Sequence, residues 1–253
     1  MIEFDNIYNM DCVLGMKQIP DNTVDLVVTS PPYNIGIDYD SYDDNMEWEK
    51  YYQWTEEWLL ECYRVIKPDG RIAVDHYLSF GNSNHRESPT CVIYDIMERI
   101  GYKHHAIALW TDSHLTKRTA WGSWLSSSAP YVNCPYEAII IGYKDRWKRD
   151  NEGVTNITKD EFVMMSSGLW KIRPETRGLT KANFPIDFAS KIIRFLSYEK
   201  DVVLDPFMGS GTTAIAAMQT NRHYIGFELS GNYCKIADRR IFEEKEKARR
   251  RLF

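Results

Sequence analysis

The chain has five cysteines among 253 residues, and no two of them form a C-x-x-C pair. This spacing gives no indication of a zinc site, of another metal or of a disulfide framework. No signal peptide and no apolar run long enough to span a bilayer is recognisable, so we expect a cytoplasmic protein without membrane contact. With 43% hydrophobic residues, the chain can bury one large core, and we expect a single domain over residues 1–253.

A glycine loop near the end of the chain lacks the third glycine of the dinucleotide fingerprint. It lies in the run VVLDPFMGSGTT, which starts as a β-branched strand. Pro206 is expected to end the strand, while Gly209 and Gly211 permit a tight turn. Thr212 and Thr213 then suit the N-cap of the next helix. A strand, a glycine turn and a helix N-terminus bring backbone N–H groups and a positive dipole end to one place.

Two carboxylates indicate what this loop binds. Glu228 ends the following strand, 17 residues beyond Gly211, where it can accept hydrogen bonds from both hydroxyls of a ribose. Asp205 closes the first strand, where a carboxylate would repel a pyrophosphate and suit the ammonium group of an amino-acid tail. The pair favours S-adenosylmethionine over a nicotinamide dinucleotide. A structural turn with an incidental carboxylate is the alternative.

The motif TSPPYN follows an earlier buried strand, VDLVVT. Pro31 and Pro32 lack N–H groups, so their carbonyls are expected to point outward as acceptors. Ser30 adds a side-chain acceptor, and Tyr33 offers a ring face for stacking. An exocyclic amine of a nucleobase has two protons to donate and a flat ring to stack, and enzymes reach such an amine by extruding the base. A plain strand-to-loop turn is the alternative.

In this order, the two motifs resemble those of the DNA amino-methyltransferases, which methylate the exocyclic nitrogen of cytosine or adenine. The pocket motif precedes the cofactor motif in the β group of that family, a circularly permuted form of the methyltransferase fold. Asp11-Cys12 is similar to the family's acidic contact to the cofactor adenine. The run KANFPIDFASKII resembles the segment that covers the cofactor, although Thr180-Lys181 stands where the family has His-Pro.

The resemblance implies an α/β, Rossmann-like methyltransferase fold with a mostly parallel, doubly wound sheet, an antiparallel hairpin strand and a permuted motif order. Helical patterns at 87–100, 186–197 and 231–249 alternate with the strands and agree with this fold class. The single domain is then catalytic, and S-adenosyl-L-methionine is its cofactor. The implied catalytic residues are Ser30, Pro31, Pro32 and Tyr33. The implied cofactor-binding residues are Asp11, Cys12, Phe184, Asp205, Pro206, Phe207, Gly209, Gly211, Thr212, Thr213 and Glu228.

The net charge of −5 is unevenly distributed, since residues 34–61 carry nine acids and one lysine. Their aromatic residues recur at helical spacing, so we assign this acidic stretch to structure. Two polar, irregular stretches are interpreted as DNA-reading segments: 145–178 as a small target-recognition insertion and 111–130 as an accessory loop. The candidate DNA contacts are Lys117, Arg118, Trp121, Trp124, Arg146, Lys148, Arg149, Arg173 and Arg177. A solvated face is the alternative for each basic cluster.

The motifs favour direct methyl transfer without a covalent enzyme intermediate and without a strong general base. Asp38 and Asp40, on the loop after the pocket motif, are candidate proton acceptors, with a solvated loop as the simpler interpretation. In the family, Ser at the position of Ser30 is typical of cytosine-N4 enzymes and Asp or Asn of adenine-N6 enzymes. We therefore expect N4 methylation of cytosine, with N6 of adenine as the alternative. An RNA or protein amide methyltransferase is a more distant one.

Double-stranded DNA is the expected partner, and a cognate restriction endonuclease is a candidate. A monomer and a homodimer are both compatible with the sequence.

Overall fold

The computed structural model of the chain describes residues 2–37, 39–42, 44–81, 86–111, 122–132, 134, 136–173 and 184–250. The strands are β1 (Asn6–Asn9), β2 (Val24–Thr29), β3 (Ile66–Tyr77), β4 (Phe80–Gly81), β5 (Arg86–Glu87), β6 (Lys103–Thr111), β7 (Glu137–Tyr143), β8 (Leu169–Lys171), β9 (Val202–Asp205) and β10 (His223–Glu228). The helices are α1 (Cys12–Met16), α2 (Trp48–Val65), α3 (Pro89–Ile100), α4 (Lys159–Ser166), α5 (Ile186–Leu196), α6 (Thr212–Gln219) and α7 (Gly231–Arg250). Among these helices, none has the length and apolar character needed to cross a membrane.

Eight strands form one sheet in the order β1-β10-β9-β2-β3-β7-β6-β8. The strands from β1 to β3 in this order are parallel. β7 runs antiparallel between β3 and β6, and β8 pairs parallel with β6 at the edge. The sheet is therefore mostly parallel with an antiparallel strand, as expected.

Helices cover both faces of the sheet, because successive strand side chains point to opposite sides. On one face, Leu26 and Val203 pack with apolar residues of α5 and α6. On the other, Val27 and Leu204 pack with α1, α2 and α3. This alternation explains why neighbouring positions of each strand, Leu26-Val27 and Val203-Leu204, are both apolar rather than every second one.

The strands that precede the two motifs, β2 and β9, are direct neighbours. They pair in parallel, with Leu26 opposite Val203 and Val27 opposite Leu204. Parallel neighbours end at the same edge of a sheet, so the segments after them lie side by side. Pairing between residues that are 177 positions apart along the chain thus joins the pocket motif to the glycine loop.

The stretch predicted as a target-recognition insertion, 145–178, is described as far as residue 173 and packs with the main domain there. α4 begins with a capping box between Thr158 and Glu161. Met165 and Trp170 are buried in the core, and the Trp170 indole donates a hydrogen bond to the Met165 carbonyl at 2.9 Å. β8 extends the sheet beside β6, and the assignment of this stretch to target recognition stays a prediction.

Candidate active site

A cavity opens at the edge where β2, β9 and β10 end, and it encloses about 890 Å³ of empty space, its open mouth included. The predicted site residues that line it are Asp11, Cys12, Ser30, Pro31, Pro32, Pro206, Phe207, Gly209 and Glu228. Both motifs thus face one space of the size of a ligand site. Residues that the sequence had not singled out for the site complete its wall: Met10, Tyr39, Ser41, Tyr42, Trp54, Phe227, Leu229, Ser230 and Tyr233.

Tyr33 does not line the cavity, and its side chain is 7% exposed. Its ring packs against His76 and Tyr77, with centroids 4.7 and 4.9 Å away. The expected open face for stacking is therefore largely covered by protein. Its hydroxyl instead accepts a hydrogen bond from Ser30 Oγ at 2.7 Å and donates one to Glu137 Oε2 at 2.7 Å.

Beneath Tyr33, two carboxyl groups that the sequence analysis missed meet inside the sheet. Asp75 of β3 is 3% exposed, and Glu137 begins β7. The Tyr33 hydroxyl lies 3.2 Å from Asp75 Oδ2 and 2.7 Å from Glu137 Oε2. Burial raises the pKa of both carboxyl groups, that of Asp75 most strongly. The signal available in the sequence was an acidic residue inside each of two apolar strands, RIAVDHY and YEAIII.

The backbone of the pocket motif is held by Tyr51 of α2. Its hydroxyl donates to the Pro32 carbonyl at 2.7 Å and lies 2.9 Å from His76 Nε2. Burial lowers the pKa of His76 to about 3, so its ring stays neutral and can donate to the Tyr51 oxygen. The Pro32 carbonyl is thus occupied by protein.

The glycine loop has the expected backbone but different side-chain contacts. Gly209 and Gly211 have φ of +53° and +82°, and a Cβ on Gly211 would lie 2.9 Å from the Cβ of Ala237 in α7. The left-handed φ favours glycine at both positions, and the contact with Ala237 adds a steric reason at Gly211. The predicted cap of α6 by Thr212 and Thr213 is wrong: Gly211 is the N-cap, and no side chain caps the helix.

Asp205 corrects a second expectation. Its carboxylate is 1% exposed, is absent from the cavity wall and accepts hydrogen bonds from the Thr29 hydroxyl (2.8 Å), the Thr213 hydroxyl (2.6 Å) and the Phe207 N–H (3.0 Å). Burial raises its pKa to about 6. In this geometry Asp205 joins β2, the loop and α6 and does not line the cavity.

Glu228 and Asp11 are the two carboxylates of the predicted cofactor-binding set that line the cavity. Glu228 accepts hydrogen bonds from the N–H groups of Gly209 (2.8 Å) and Ser230 (2.7 Å), and burial raises its pKa. Asp11 is the N-cap of α1 and accepts from the Leu14 N–H at 3.0 Å. Each carboxylate keeps lone pairs for a ligand, because these contacts use only part of its acceptor capacity.

The loop after the pocket motif is folded on itself and tied across the cavity. Asp44 accepts hydrogen bonds from the N–H groups of Asn34, Ile35 and Ile37 at 2.7–3.1 Å. Asp40, a lining residue, accepts from the Ser230 hydroxyl at 2.5 Å and from the side chain of Asn232. These hydrogen bonds, that of Ser230 first, lower the pKa of Asp40, so it is a weak proton acceptor.

Phe184, Gly211, Thr212 and Thr213 belong to the predicted cofactor set but do not line the cavity. Phe184 is partly buried against the α5 side of the core. Among the candidate DNA contacts, Trp124 is 74% exposed, and Arg173 and Lys148 are exposed as well. The candidates Lys117, Arg118, Trp121 and Arg177 lie outside the described residues, as do Asp38 and Thr180-Lys181.

Arg149 does not fit the prediction of a DNA contact. Its guanidinium pairs with Asp25 (2.8 Å), Asp69 (3.2 Å) and Asp201 (3.0 Å). Asp25 lies at the start of β2 and Asp201 just before β9, at the edge of the sheet opposite the cavity. Arg146, in the same basic run, pairs with Asp150. The run KDRWKR is therefore anchored to the amino edge of the sheet.

The sheet and its helices form a Rossmann-like, methyltransferase-type fold, and the glycine loop and the pocket motif open into one space at its edge. The DNA methylase family of the N6/N4 type matches residues 24–239. Type II methyltransferase M.MjaVI of Methanocaldococcus jannaschii is 39% identical over 159 residues, 63% of this chain and 81% of the relative. Type II methyltransferase M.HpaI of Haemophilus parainfluenzae is 28% identical over 251 residues, 92% of this chain and 73% of the relative.

Solved structures share the fold. TTHA0409 of Thermus thermophilus, assigned as a DNA modification methylase and solved with S-adenosyl-L-methionine, superposes with a TM-score of 0.76 at 23% identity, over 94% of this chain and 93% of that one. PvuII DNA methyltransferase, cytosine-N4-specific, gives a TM-score of 0.70 at 22% identity, over 92% and 84%.

The chain belongs to the DNA methylase family. The predicted family, α/β fold class and S-adenosylmethionine cofactor are confirmed. The permuted motif order stays a prediction.

Proposed function

We propose that this DNA methylase acts on the N4 amine of cytosine in duplex DNA, with the target base turned out of the helix into the cavity. The observation that carries the proposal is the position of Ser30, Pro31 and Pro32 on the wall that also holds the glycine loop. An amine donor and a methyl donor bound there would be held side by side. Such positioning supplies much of the rate in a reaction between two bound groups.

The residues of the cavity fit S-adenosylmethionine. Glu228 and Asp11 supply acceptors for ribose hydroxyls and for the amine of an adenine, and Pro206, Phe207 and Phe227 supply apolar wall. When bound, this cofactor supplies an electrophilic methyl group on a sulfonium. We do not include Asp205 among the proposed contacts to the ammonium group of the cofactor, because its carboxylate is buried in protein contacts.

The pocket motif would activate the amine by accepting its protons. Ser30 directs its own proton to Tyr33, so the lone pairs of its oxygen remain for an N–H donor. Tyr51 uses one lone pair of the Pro32 carbonyl, and the carbonyl of Pro31, which also lines the cavity, is the proposed second acceptor. Two acceptors aimed at the nitrogen localise its lone pair and stabilise the charge that develops during transfer.

Ser30 favours cytosine N4 over adenine N6, following the family correlation at this position. Adenine remains the second candidate, because Ser, Asp and Asn all supply an acceptor oxygen. Trp124 and Arg173 are exposed, and we retain them as DNA contacts. The relatives are type II methyltransferases, which supports a cognate restriction endonuclease as the partner. A monomer and a homodimer are both compatible with this proposal.

A nucleoside digest tests the target base. Unmethylated duplex DNA is incubated with S-adenosylmethionine and the protein, digested and analysed by mass spectrometry, with a Ser30→Ala variant as the control. N4-methylcytosine is the expected product. N6-methyladenine would overturn the cytosine assignment and retain the chemistry, whereas the absence of any methylated base would overturn the proposed function.

A further inference from the structure

We propose that Glu137 is the terminal proton acceptor of the reaction, reached from the target amine through the hydroxyls of Ser30 and Tyr33. The inference rests on the proposed role of Ser30 at the amine, and it applies to cytosine and adenine alike. Its basis is a continuous chain of hydrogen bonds from the cavity wall into the sheet.

The geometry gives this chain a direction. Ser30 lines the cavity and donates its hydroxyl proton to Tyr33 Oη at 2.7 Å. Tyr33 has one proton to give, and its oxygen lies 2.7 Å from Glu137 Oε2 and 3.2 Å from Asp75 Oδ2. The shorter contact is the stronger one. Both hydroxyl protons therefore point away from the cavity and towards Glu137.

The two carboxyl groups differ in their ability to accept a proton. Asp75 is almost fully buried, whereas Glu137 is partly exposed. Burial and then the charge of Glu137 raise the pKa of Asp75 well above its ordinary value, while the hydrogen bond from Tyr33 counteracts the rise at Glu137. Asp75 is therefore the member of the pair that holds a proton more tightly, and Glu137 is the member that ionises more readily.

Among the described residues, the rings packed against Tyr33 and the strand residue opposite Glu137 are not carboxylates that would compete for the proton. The rings against Tyr33 belong to His76 and Tyr77. His76 stays neutral because burial lowers its pKa to about 3. On the neighbouring strand β6, the residue opposite Glu137 is Trp110, which does not titrate.

The proton balance closes within these residues. As the methylated amine loses a proton to Ser30 Oγ, the Ser30 proton passes to Tyr33 Oη and the Tyr33 proton to Glu137 Oε2. The electron pair of the broken N–H bond stays on nitrogen, so the amine ends neutral and Glu137 ends as the acid. Partial exposure of Glu137 lets it return this proton to water before the next turnover.

Asp40, on the loop after the pocket motif, is a poorer acceptor. Its carboxylate is tied to Ser230 and Asn232, and these hydrogen bonds lower its pKa. The proton relay from Ser30 ends instead at a carboxylate whose pKa burial raises.

Single-turnover methylation across pH tests the relay with Glu137→Gln against wild type, and with the exposed Glu152→Gln as the matched control. The wild-type rate is expected to fall as the pH drops through the raised pKa of Glu137, because the acid form accepts no proton. Glu137→Gln is expected to lose about 100-fold in rate together with that acidic limb, while its affinity for S-adenosylmethionine stays within twofold. A variant with the wild-type rate and pH profile would overturn the relay.

Two further measurements keep the test decisive. Tyr33→Phe retains the ring but lacks the hydroxyl of the relay, so its single-turnover rate is expected to lose the same fall at low pH. This variant tests the relay even if Glu137→Gln does not fold. Infrared difference spectra of the free protein should contain a protonated carboxyl band at neutral pH that is absent in Asp75→Asn. Absence of the band in wild type would contradict the assignment of a proton to Asp75 and would overturn the relay. A wild-type protein that methylates no DNA but has the band would instead overturn the proposed function.

Discussion

Ser30 Oγ and Tyr33 Oη lie 2.7 Å apart, with serine as the donor. The contact joins the first and last residues of the S-P-P-Y motif across two prolines. It turns the serine proton away from the cavity and leaves the oxygen to act there as an acceptor. The tyrosine hydroxyl, held by Glu137 on its other side, fixes this orientation.

Ser30→Ala removes the side-chain acceptor and is expected to slow single-turnover methyl transfer by about 10- to 100-fold, the cost of a hydrogen bond to a charge-developing group. Affinity for S-adenosylmethionine should change less than twofold. Rapid-quench assays and calorimetry measure the two quantities, with Ser167→Ala, exposed at the end of α4, as control. Equal rates in Ser30→Ala and wild type would remove Ser30 from the mechanism.

Asp205→Asn is expected to change how stability depends on pH. Burial raises the pKa of Asp205 from 3.8 to about 6, so the folded protein binds this proton more tightly than the unfolded chain does. The carboxyl group therefore makes the free energy of unfolding fall as pH rises from about 4 to about 6, by up to about 3 kcal/mol. Asparagine does not titrate, so the variant lacks this contribution.

Urea unfolding at several pH values from 4 to 7 measures the difference between the two proteins. Subtracting one curve of unfolding free energy against pH from the other removes the contribution of the titratable groups that both proteins contain. Parallel curves for wild type and Asp205→Asn would contradict the raised pKa.

Glu228→Gln is expected to weaken S-adenosylmethionine binding by about 10- to 100-fold. The amide has one acceptor oxygen, so it cannot accept from both the Gly209 and Ser230 N–H groups and also serve a ribose as the carboxylate can. Isothermal titration with the cofactor checks this, with Glu152→Gln as the matched control. Unchanged affinity would exclude Glu228 from the binding site.

Arg149→Ala is expected to lower the free energy of unfolding by about 3–5 kcal/mol, because it leaves Asp25, Asp69 and Asp201 without their shared cation. Arg146→Ala breaks one exposed pair with Asp150 and should cost less than about 1 kcal/mol. Denaturant unfolding of the two variants distinguishes a structural arginine from a surface one. A similar small loss in both would show that Arg149 is not part of a structural cluster.

Much of the fold could be predicted because its signals are local. The strand VDLVVT is β2 at 24–29, and the helical pattern at 186–197 is α5 at Ile186–Leu196. Buried parallel strands read as apolar runs, and an amphipathic helix has its own period. Turn chemistry at Pro206 and Gly209 likewise depends on neighbouring residues alone.

The remaining contacts depend on pairings that no local pattern contains. Asp205 has the same sequence context whether its carboxylate meets a ligand or the hydroxyl of Thr29, 176 residues away. Asp75 and Glu137 meet only because β7 inserts antiparallel beside β3. A basic run such as KDRWKR has the composition of a phosphate-binding surface, and only the position of Asp25, Asp69 and Asp201 makes Arg149 structural.

The Arg149 cluster also has a consequence for assembly of the chain. Arg149 lies 124 residues after Asp25 and 52 residues before Asp201. These separations mean that no short segment can complete the cluster alone. Closing loops of this length makes such long-range contacts slow to form. One strand leads to the pocket motif and the other to the cofactor loop. Arg149 therefore links the starts of β2 and β9 on the side of the sheet away from the cavity, and this link exists only once residues 25 to 201 have folded together.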